Sequence, residues 1–369
     1  MKILFTGGGT GGHIFPIIAV AREIRRIKPK KKKLEFFYLG PKDEFASIFL
    51  SQEGIKVKTI FTGKIRRYLS LQNFIDIFKI PIGIVQAFVY IFFLAPDLIF
   101  SKGGYGSLPV VLAGWLLRVP IFLHESDATP GLANKILSRF ALEIFVSFPR
   151  TEFFSPKKMI LVGNPIRKEI LECSQEKAKQ FFNLKQDRPV ILILGGSQGA
   201  QKINDIILII LPEILKQFEL IHVCGEKNFK QVKAEANIVL PNELKKYYHI
   251  FPFLKQSALS CAYQAADIIV SRAGAGSIFE IAAVGKPSIL IPLETSAQNH
   301  QIKNAYQYAQ SGAGIVMEEA NFTAHFFLKR INYLISHPDE LKTMEEKAKQ
   351  FSRPRAARVI AEYIVSYLS

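Results

Sequence analysis

The chain has 369 residues, enough for two domains at the usual size of roughly 100–200 residues each. Hydrophobic residues make up 49% and charged residues 21%, which supplies material for buried cores and excludes a disordered chain. Lys and Arg outnumber Asp and Glu by 48 to 31, a net charge of +17, so an anionic partner is implied: nucleic acid, an anionic membrane or a phosphorylated substrate.

Residues 1–164 hold net +12 of that charge and residues 165–369 only +5, so the first half is expected to meet the anionic surface. The mean hydropathy of +0.17 and the 30 Phe are high for a purely cytosolic enzyme. Cys173, Cys224 and Cys261 have no CxxC spacing, which argues against a disulfide framework or a zinc knuckle. The N-terminus enters a strand and a glycine loop without the apolar core of a secretory signal, so the chain is expected to stay in the cytoplasm.

The first predicted unit is an apolar strand, Lys2–Thr6, a loop over Gly7–Gly12 and a helix from Ile14 to Ile27. An apolar strand, a glycine turn and an amphipathic helix open a parallel α/β unit. Glycines let backbone N–H groups approach an oxygen-rich ligand, and the helix start adds a positive dipole end. The next strand, Glu35–Leu39, ends in Gly40-Pro41-Lys42 and lacks the acidic residue of a dinucleotide site; the loop also lacks the GK[ST] ending of a P-loop. His13, at the helix start, is expected to stay neutral beside the dipole and to accept a proton near pH 7. A lone histidine there would more often be a local cap.

Phe74–Phe100 is far more apolar than its neighbours, but Pro81 and Gly83 interrupt it and its longest clean run, Ile80–Ala95, is short of the ~20 residues of a membrane span. It reads either as a buried helix or as one whose outer face dips into a bilayer, helped by Lys64, Arg66, Arg67 and Lys79. Trp115 suits the same interface or a core. Strands follow at Leu98–Ser101, Ile121–His124 and Ile144–Ser147. The loop Ser101–Ser107 (SKGGYGS) and the run His124-Glu125-Ser126-Asp127 put polar groups at the carboxyl edge of the sheet, where open α/β sheets bind ligands. Neither HExxH nor DxD occurs, so no metal is expected. Gly163-Asn164-Pro165 marks the domain boundary, giving domains 1–163 and 164–353.

The second half repeats the opening: Pro189–Leu194, the loop Gly195–Ala200 (GGSQGA) and a helix over Ile203–Phe218. Strands are predicted at Ile221–Gly225, Asp267–Ser271 and Ser288–Pro292. Between the last two, SRAGAGSIFE (271–280) exposes backbone N–H groups for a diphosphate, and Glu280 can accept from ribose hydroxyls or simply favour the helix dipole. Residues 298–305 (QNHQIKNA) form a sugar-reading amide set or an ordinary polar helix start. The break at Ser352–Pro354 sets off a last helix, Ala356–Leu368, expected to pack back on the first domain.

In this order, GGGTGGH, SKGGYGS, HES, GNPIR, GGSQGA, SRAGAGSIFE and HQIKNA span nearly the whole chain and closely resemble the MurG family of UDP-GlcNAc-dependent N-acetylglucosaminyltransferases. The resemblance implies a GT-B fold, two Rossmann-like doubly wound domains facing a cleft. It implies inverting transfer of GlcNAc from UDP-GlcNAc to the C4 hydroxyl of the MurNAc of lipid I, with no cofactor and no metal. By the same resemblance Thr10, Gly11 and Gly12 line the sugar end of the cleft and His13 is the base. Gly103, Gly104, Tyr105, Gly106, His124 and Glu125 form the acceptor and phosphate loops. Arg167 and Ser197 contact the donor, and Leu254 holds the uracil through its backbone. Ala275, Gly276 and Ser277 face phosphate, Glu280 the ribose, and Gln301 with His300 the GlcNAc hydroxyls. The family commonly has Asn where this chain has Asp127, which either lies away from the phosphates or shares the base role. The implied partners are UDP-GlcNAc, lipid I and an anionic membrane, with no nucleic acid, at the cytoplasmic face of the inner membrane. A diacylglycerol-directed GT-B transferase and a non-catalytic sugar-nucleotide-binding adaptor are the competing readings.

Overall fold

The computed structural model describes residues 1–8, 11–28, 33–63, 71–149, 153–185, 187–196 and 199–369, without the side chains of residues 45, 71–75 and 77. The chain divides into two compact units, Met1–Arg167 with Arg353–Ser369, and Lys168–Ser352.

In the first unit, strands β1 (Lys2–Thr6), β2 (Glu35–Gly40), β3 (Lys56–Thr59), β4 (Leu98–Ser101), β5 (Ile121–Glu125), β6 (Glu143–Val146) and β7 (Met159–Leu161) alternate with helices. These are α1 (Gly11–Ile27), α2 (Glu44–Gln52), α3 (Leu71–Leu94), α4 (Leu108–Leu116) and α5 (Leu132–Leu137). The strands pair in parallel in the order β3-β2-β1-β4-β5-β6-β7. The order reverses between β1 and β4, with Thr6 beside Ser101, and this switch point is where a doubly wound sheet opens a crevice. Burial on both faces explains the unbroken apolar strands: Ile3 and Phe5 enter the core under α1, and Leu4 enters the opposite one.

The second unit carries β8 (Val190–Leu194), β9 (Glu219–Val223), β10 (Tyr248–Phe251), β11 (Ile268–Ser271), β12 (Ser288–Leu290) and β13 (Gly314–Val316) in the parallel order β10-β9-β8-β11-β12-β13. Its helices are α6 (Gln175–Phe181), α7 (Gln201–Ile214), α8 (Phe229–Val239), α9 (Gln256–Ala265), α10 (Ala275–Val284), α11 (His300–Ala309), α12 (Ala324–Ser336) and α13 (Pro338–Phe351). The chain then returns to the first unit with α14 (Ala356–Tyr367), whose Ala357, Ile360, Ala361 and Ile364 join Ile14, Ile17 and Ala21 of α1 in one core.

The cysteine expectation is corrected. Cys173, just past a 3-10 turn at Lys168–Leu171, and Cys261 of α9 form a disulfide across 88 positions of sequence. Spacing rules detect local pairs, and folding alone brings these two sulfurs together.

The apolar stretch forms α3, which has two characters. Ala87 and Ile91 are buried, whereas Phe78, Ile82, Val85, Val89, Phe92 and Phe93 are exposed. Gly83 allows close approach of the loop after β3, since a Cβ there would lie 2.0 Å from the Phe61 carbonyl oxygen. Beside α3 lies a groove of about 620 Å³ lined by Leu39, Ile60, Val85, Val89, Tyr90 and Phe93 among others. Trp115 is also exposed, its ring 5.0 Å from that of Phe140. Among the described residues no helix is long and apolar enough to cross a membrane.

Candidate active site

In the first unit the site grows from the turns after β1, β4 and β5. Helix α1 starts at Gly11, so His13 lies in its first turn, where unpaired N–H groups disfavour a positive ring. Its imidazole is cradled by glycines: a Cβ on Gly8 would lie 3.0 Å from Nδ1, and one on Gly104 would lie 3.1 Å from Nε2. Burial lowers its pKa to about 4, helped by the Lys102 ammonium, so the ring is neutral at pH 7. Tyr38 of β2 donates to the Gly7 carbonyl at 3.0 Å and steadies the loop from below.

The loop after β4 closes against that wall. Gly103 and Gly104 both have φ near +81°, a region costly for other residues, and Gly8 N donates to Gly103 O at 3.1 Å. A Cβ on Gly103 would fall 1.9 Å from Asn134 Oδ1. Asn134 of α5 accepts from Gly104 N at 3.3 Å and donates to Glu125 Oε2 at 2.7 Å. Glu125 also accepts from the backbone of Asp127 at 2.9 Å. Burial, then the neighbouring Asp127 charge, raises the Glu125 pKa to about 7. Gly106 is packed beneath this loop, Tyr105 is at its exposed edge and Asp127 is half-buried. His13, Gly103, Gly104, His124, Glu125 and Asp127 thus come together at the switch point. Lys102, Asn134 and Asn164 join them. The sequence reading gave these three no part in the site: Lys102 sat unremarked inside a quoted motif, Asn164 served only to mark the domain boundary, and only the fold carries Asn134 to Glu125.

Arg167 closes the first unit and stacks its guanidinium 4.7 Å from the Phe15 ring centroid of α1. Gly11 and Gly12 are the first residues of α1; Thr10 lies outside the described residues.

In the second unit the corresponding turns follow β8 and β11. Gly196 has φ +81° with open space where a Cβ would stand; Ser197 lies outside the described residues. After β11, Gly274 caps α10, and the first intrahelical bond of that helix runs from Ile278 N to Gly274 O at 3.1 Å. The amides of Ala275, Gly276 and Ser277 therefore precede it without intrahelical acceptors, and a Cβ on Gly274 or Gly276 meets no atom within 4 Å. This is an open anion cradle. Glu280, one turn on, accepts from Tyr263 Oη at 3.1 Å. Asn304 is buried and donates to Ala273 O at 3.2 Å, which ties α11 to the cradle.

Gln301 accepts from Leu293 N at 3.0 Å, and His300 Nδ1 donates to Ala297 O at 2.7 Å. Gln298 and Asn299 before them hold left-handed φ of 58° and 54°, which swings the amide run into a tight corner. Leu254 is buried in the loop between β10 and α9. Among the described residues no three His, Cys, Asp or Glu side chains gather where they could hold a metal ion.

The comparisons with known proteins bear on the fold and the family. The glycosyltransferase family 28 N-terminal domain matches residues 3–146, and the C-terminal domain of the same family matches residues 190–360. A UDP-N-acetylglucosamine--N-acetylmuramyl-(pentapeptide) pyrophosphoryl-undecaprenol N-acetylglucosamine transferase of Clostridium tetani is 38% identical over 352 residues, covering 94% of each chain. A Bacillus cereus enzyme of the same name is 38% identical over 365 residues, covering 98% of this chain and 99% of its own. The crystal structure of Acinetobacter baumannii MurG superposes with TM-score 0.77 at 25% identity over 99% of both chains. A UDP-GlcNAc 2-epimerase of Neisseria meningitidis shares the fold, with TM-score 0.70 at 18% identity over 99% of this chain and all of its own. With two doubly wound GT-B units and relatives matched along nearly its whole length, the chain belongs to the MurG family of N-acetylglucosaminyltransferases.

Proposed function

We infer that this chain is an inverting glycosyltransferase that moves GlcNAc from UDP-GlcNAc to the C4 hydroxyl of the MurNAc of lipid I, yielding lipid II. The observation that carries the chemistry is His13, a neutral imidazole held between glycines at a helix start. It accepts the proton of the acceptor hydroxyl as that oxygen attacks the anomeric carbon. The sugar–phosphate bond breaks on the opposite side and UDP leaves. Asp127, half-buried beside Glu125, lies away from the phosphates or shares the base role with His13.

The leaving diphosphate gathers negative charge, and the open amides of Ala275, Gly276 and Ser277 are suited to receive it with little reorganisation. In this reading Arg167, Ser197, Gly11, Gly12 and Thr10 complete the donor contacts. Leu254 offers its backbone to the uracil, Glu280 binds the ribose, and Gln301 with His300 reads the amino sugar. The loops Gly103–Gly106 and His124–Glu125 receive the acceptor.

The exposed Phe and Ile row of α3, with Trp115, supports peripheral attachment at the cytoplasmic face of the inner membrane, where a polyprenyl-linked acceptor resides. No cofactor enters the reaction as proposed. A panel of donors and acceptors scored for UDP release tests the reading. UDP release that needs both UDP-GlcNAc and a lipid I analogue is expected; preference for diacylglycerol, or binding of the nucleotide sugar with no turnover, would overturn it.

A further inference from the structure

The first unit buries a lysine that the transfer chemistry above leaves unused. Lys102 follows β4, is 2% exposed, and its backbone N donates to Thr6 O at 2.8 Å. Its ammonium donates to His124 Nδ1 at 2.8 Å and to Ser126 Oγ. His124 Nε2 faces the Gly163 carbonyl at 3.1 Å, and a carbonyl only accepts. The proton of this ring is therefore on Nε2, and Nδ1 is the lone-pair acceptor of Lys102. Ser126 Oγ donates onward to Asn164 Oδ1 at 3.0 Å. One ammonium thus links the turn after β4, the turn after β5 and the segment Gly163–Asn164.

A buried ammonium is costly unless it is compensated. The charges acting on it are the carboxylates of Glu125 and Asp127, against burial that brings its pKa down to about 8. On its other side, Lys102 Cβ and His13 Cβ each lie 3.4 Å from where a Gly7 Cβ would stand. The titratable groups around it are therefore His13 from α1, His124 and Glu125 from β5 and Asp127 beyond. Tyr38 of β2 stands behind the Gly7 carbonyl.

Resting on the transfer reading, we propose that Lys102 is a positioning residue for the reaction. Its ammonium is the fixed counter-charge of Glu125 and Asp127, and it holds His124 and the glycine wall of His13 in the geometry that meets the acceptor. The carboxylate at position 127 is tolerated beside Glu125 because this cation neutralises it.

Four proteins test this: the wild type, Lys102→Met, Asp127→Asn and the double variant, assayed for acceptor-dependent UDP release across pH. Lys102→Met is expected to lower kcat about 30-fold with the KM for UDP-GlcNAc changed less than about twofold. It also moves the acid limb of the profile to higher pH, because His13 loses the cation that disfavours its protonated form. Adding Asp127→Asn is expected to restore kcat at least about fivefold over Lys102→Met alone and to move the limb back.

Losses that simply multiply in the double variant, a Lys102→Met enzyme with wild-type kcat, or an unmoved limb would each overturn the proposal. Where Lys102→Met does not fold, recovery of folded, active protein in the double variant supports the charge pairing, and no recovery overturns it. A wild type that releases no UDP with any acceptor refutes the transfer reading instead.

Discussion

The two units place their first and fourth strands side by side and turn through glycine at the same topological point, yet they fill that point in opposite ways. Between β1 and β4 the space is occupied by the protein itself: Lys102 bonds to His124, Asn134 bonds to Glu125 and to the glycine backbone, and His13 packs against Gly8 and Gly104. Between β8 and β11 the glycines face open space, and the amides at the start of α10 have no intrahelical acceptor. The first arrangement suits proton transfer, which needs side chains of tuned pKa held to a fraction of an ångström. The second suits a diphosphate, which needs donors and room. One topology serves both tasks because the sheet fixes where the turns lie, and the turn residues decide what stands there.

The largest effect that would break this contrast is on His13. His13→Ala is expected to lower kcat about 10²- to 10⁴-fold while the dissociation constant for UDP-GlcNAc changes little. Equal loss in both would make His13 a donor-binding residue and not the base.

Glycine replacements should affect the two turns differently. Gly103→Ala forces a Cβ onto Asn134 at a left-handed φ, and a fall in Tm of roughly 5 °C or more is expected. Gly276→Leu enters open space inside a helix, so Tm holds or rises, since glycine costs a helix about 1 kcal/mol. Affinity for UDP falls at least about tenfold, measured by titration calorimetry, as the side chain fills the cradle. Matching stability losses in the two variants would erase the distinction.

Acid is expected to act through the buried histidines. His13 is lowered to about 4 and His222, bonded to Asn204 and Tyr248, to about 3, both by burial first. His124 is also held well below its ordinary value by burial. Their folded pKa values lie below the unfolded 6.5, so the unfolded chain binds more protons and stability falls as pH drops from about 6.5 toward 4. Each contributes about 1.4 kcal/mol per pH unit within its window. Glu125, raised to about 7, works the other way: the folded state keeps its proton longer, so its burial costs stability as pH rises from 4.5 to 7. Trp115, the sole tryptophan, reports the first unit, and its urea midpoint is expected to fall less steeply with acid than that of a Glu125→Gln variant.

The smallest effect concerns α3. Phe92→Ser with Phe93→Ser is expected to reduce binding to anionic liposomes severalfold at low salt, with kcat on a soluble acceptor analogue unchanged. Unchanged liposome binding would return that face to a role within the protein.

The strands that the sequence reveals and those it hides divide by position. All nine predicted strands lie inside the sheets, while the four that went unread, β3, β7, β10 and β13, are the four edges. An inner strand is covered on both faces and reads as an apolar run. An edge strand such as β3, Lys-Val-Lys-Thr, is mostly exposed and carries lysines that discourage further pairing. The site divides the same way. His13 and the α10 turn are legible because glycine next to a helix start has few uses, and the order of the motifs carried the family.

Local chemistry therefore made legible the apolar runs, glycine turns and helix starts, each readable within a dozen residues. The return of the last helix to the first domain was expected from the chain break before it, whereas folding alone produced the Cys173–Cys261 bond, the α1 residues that receive that helix and the ring of partners around Lys102. Those depend on which distant segments share a core, and burial turns an ordinary lysine and an ordinary glutamate into groups that must answer each other's charge.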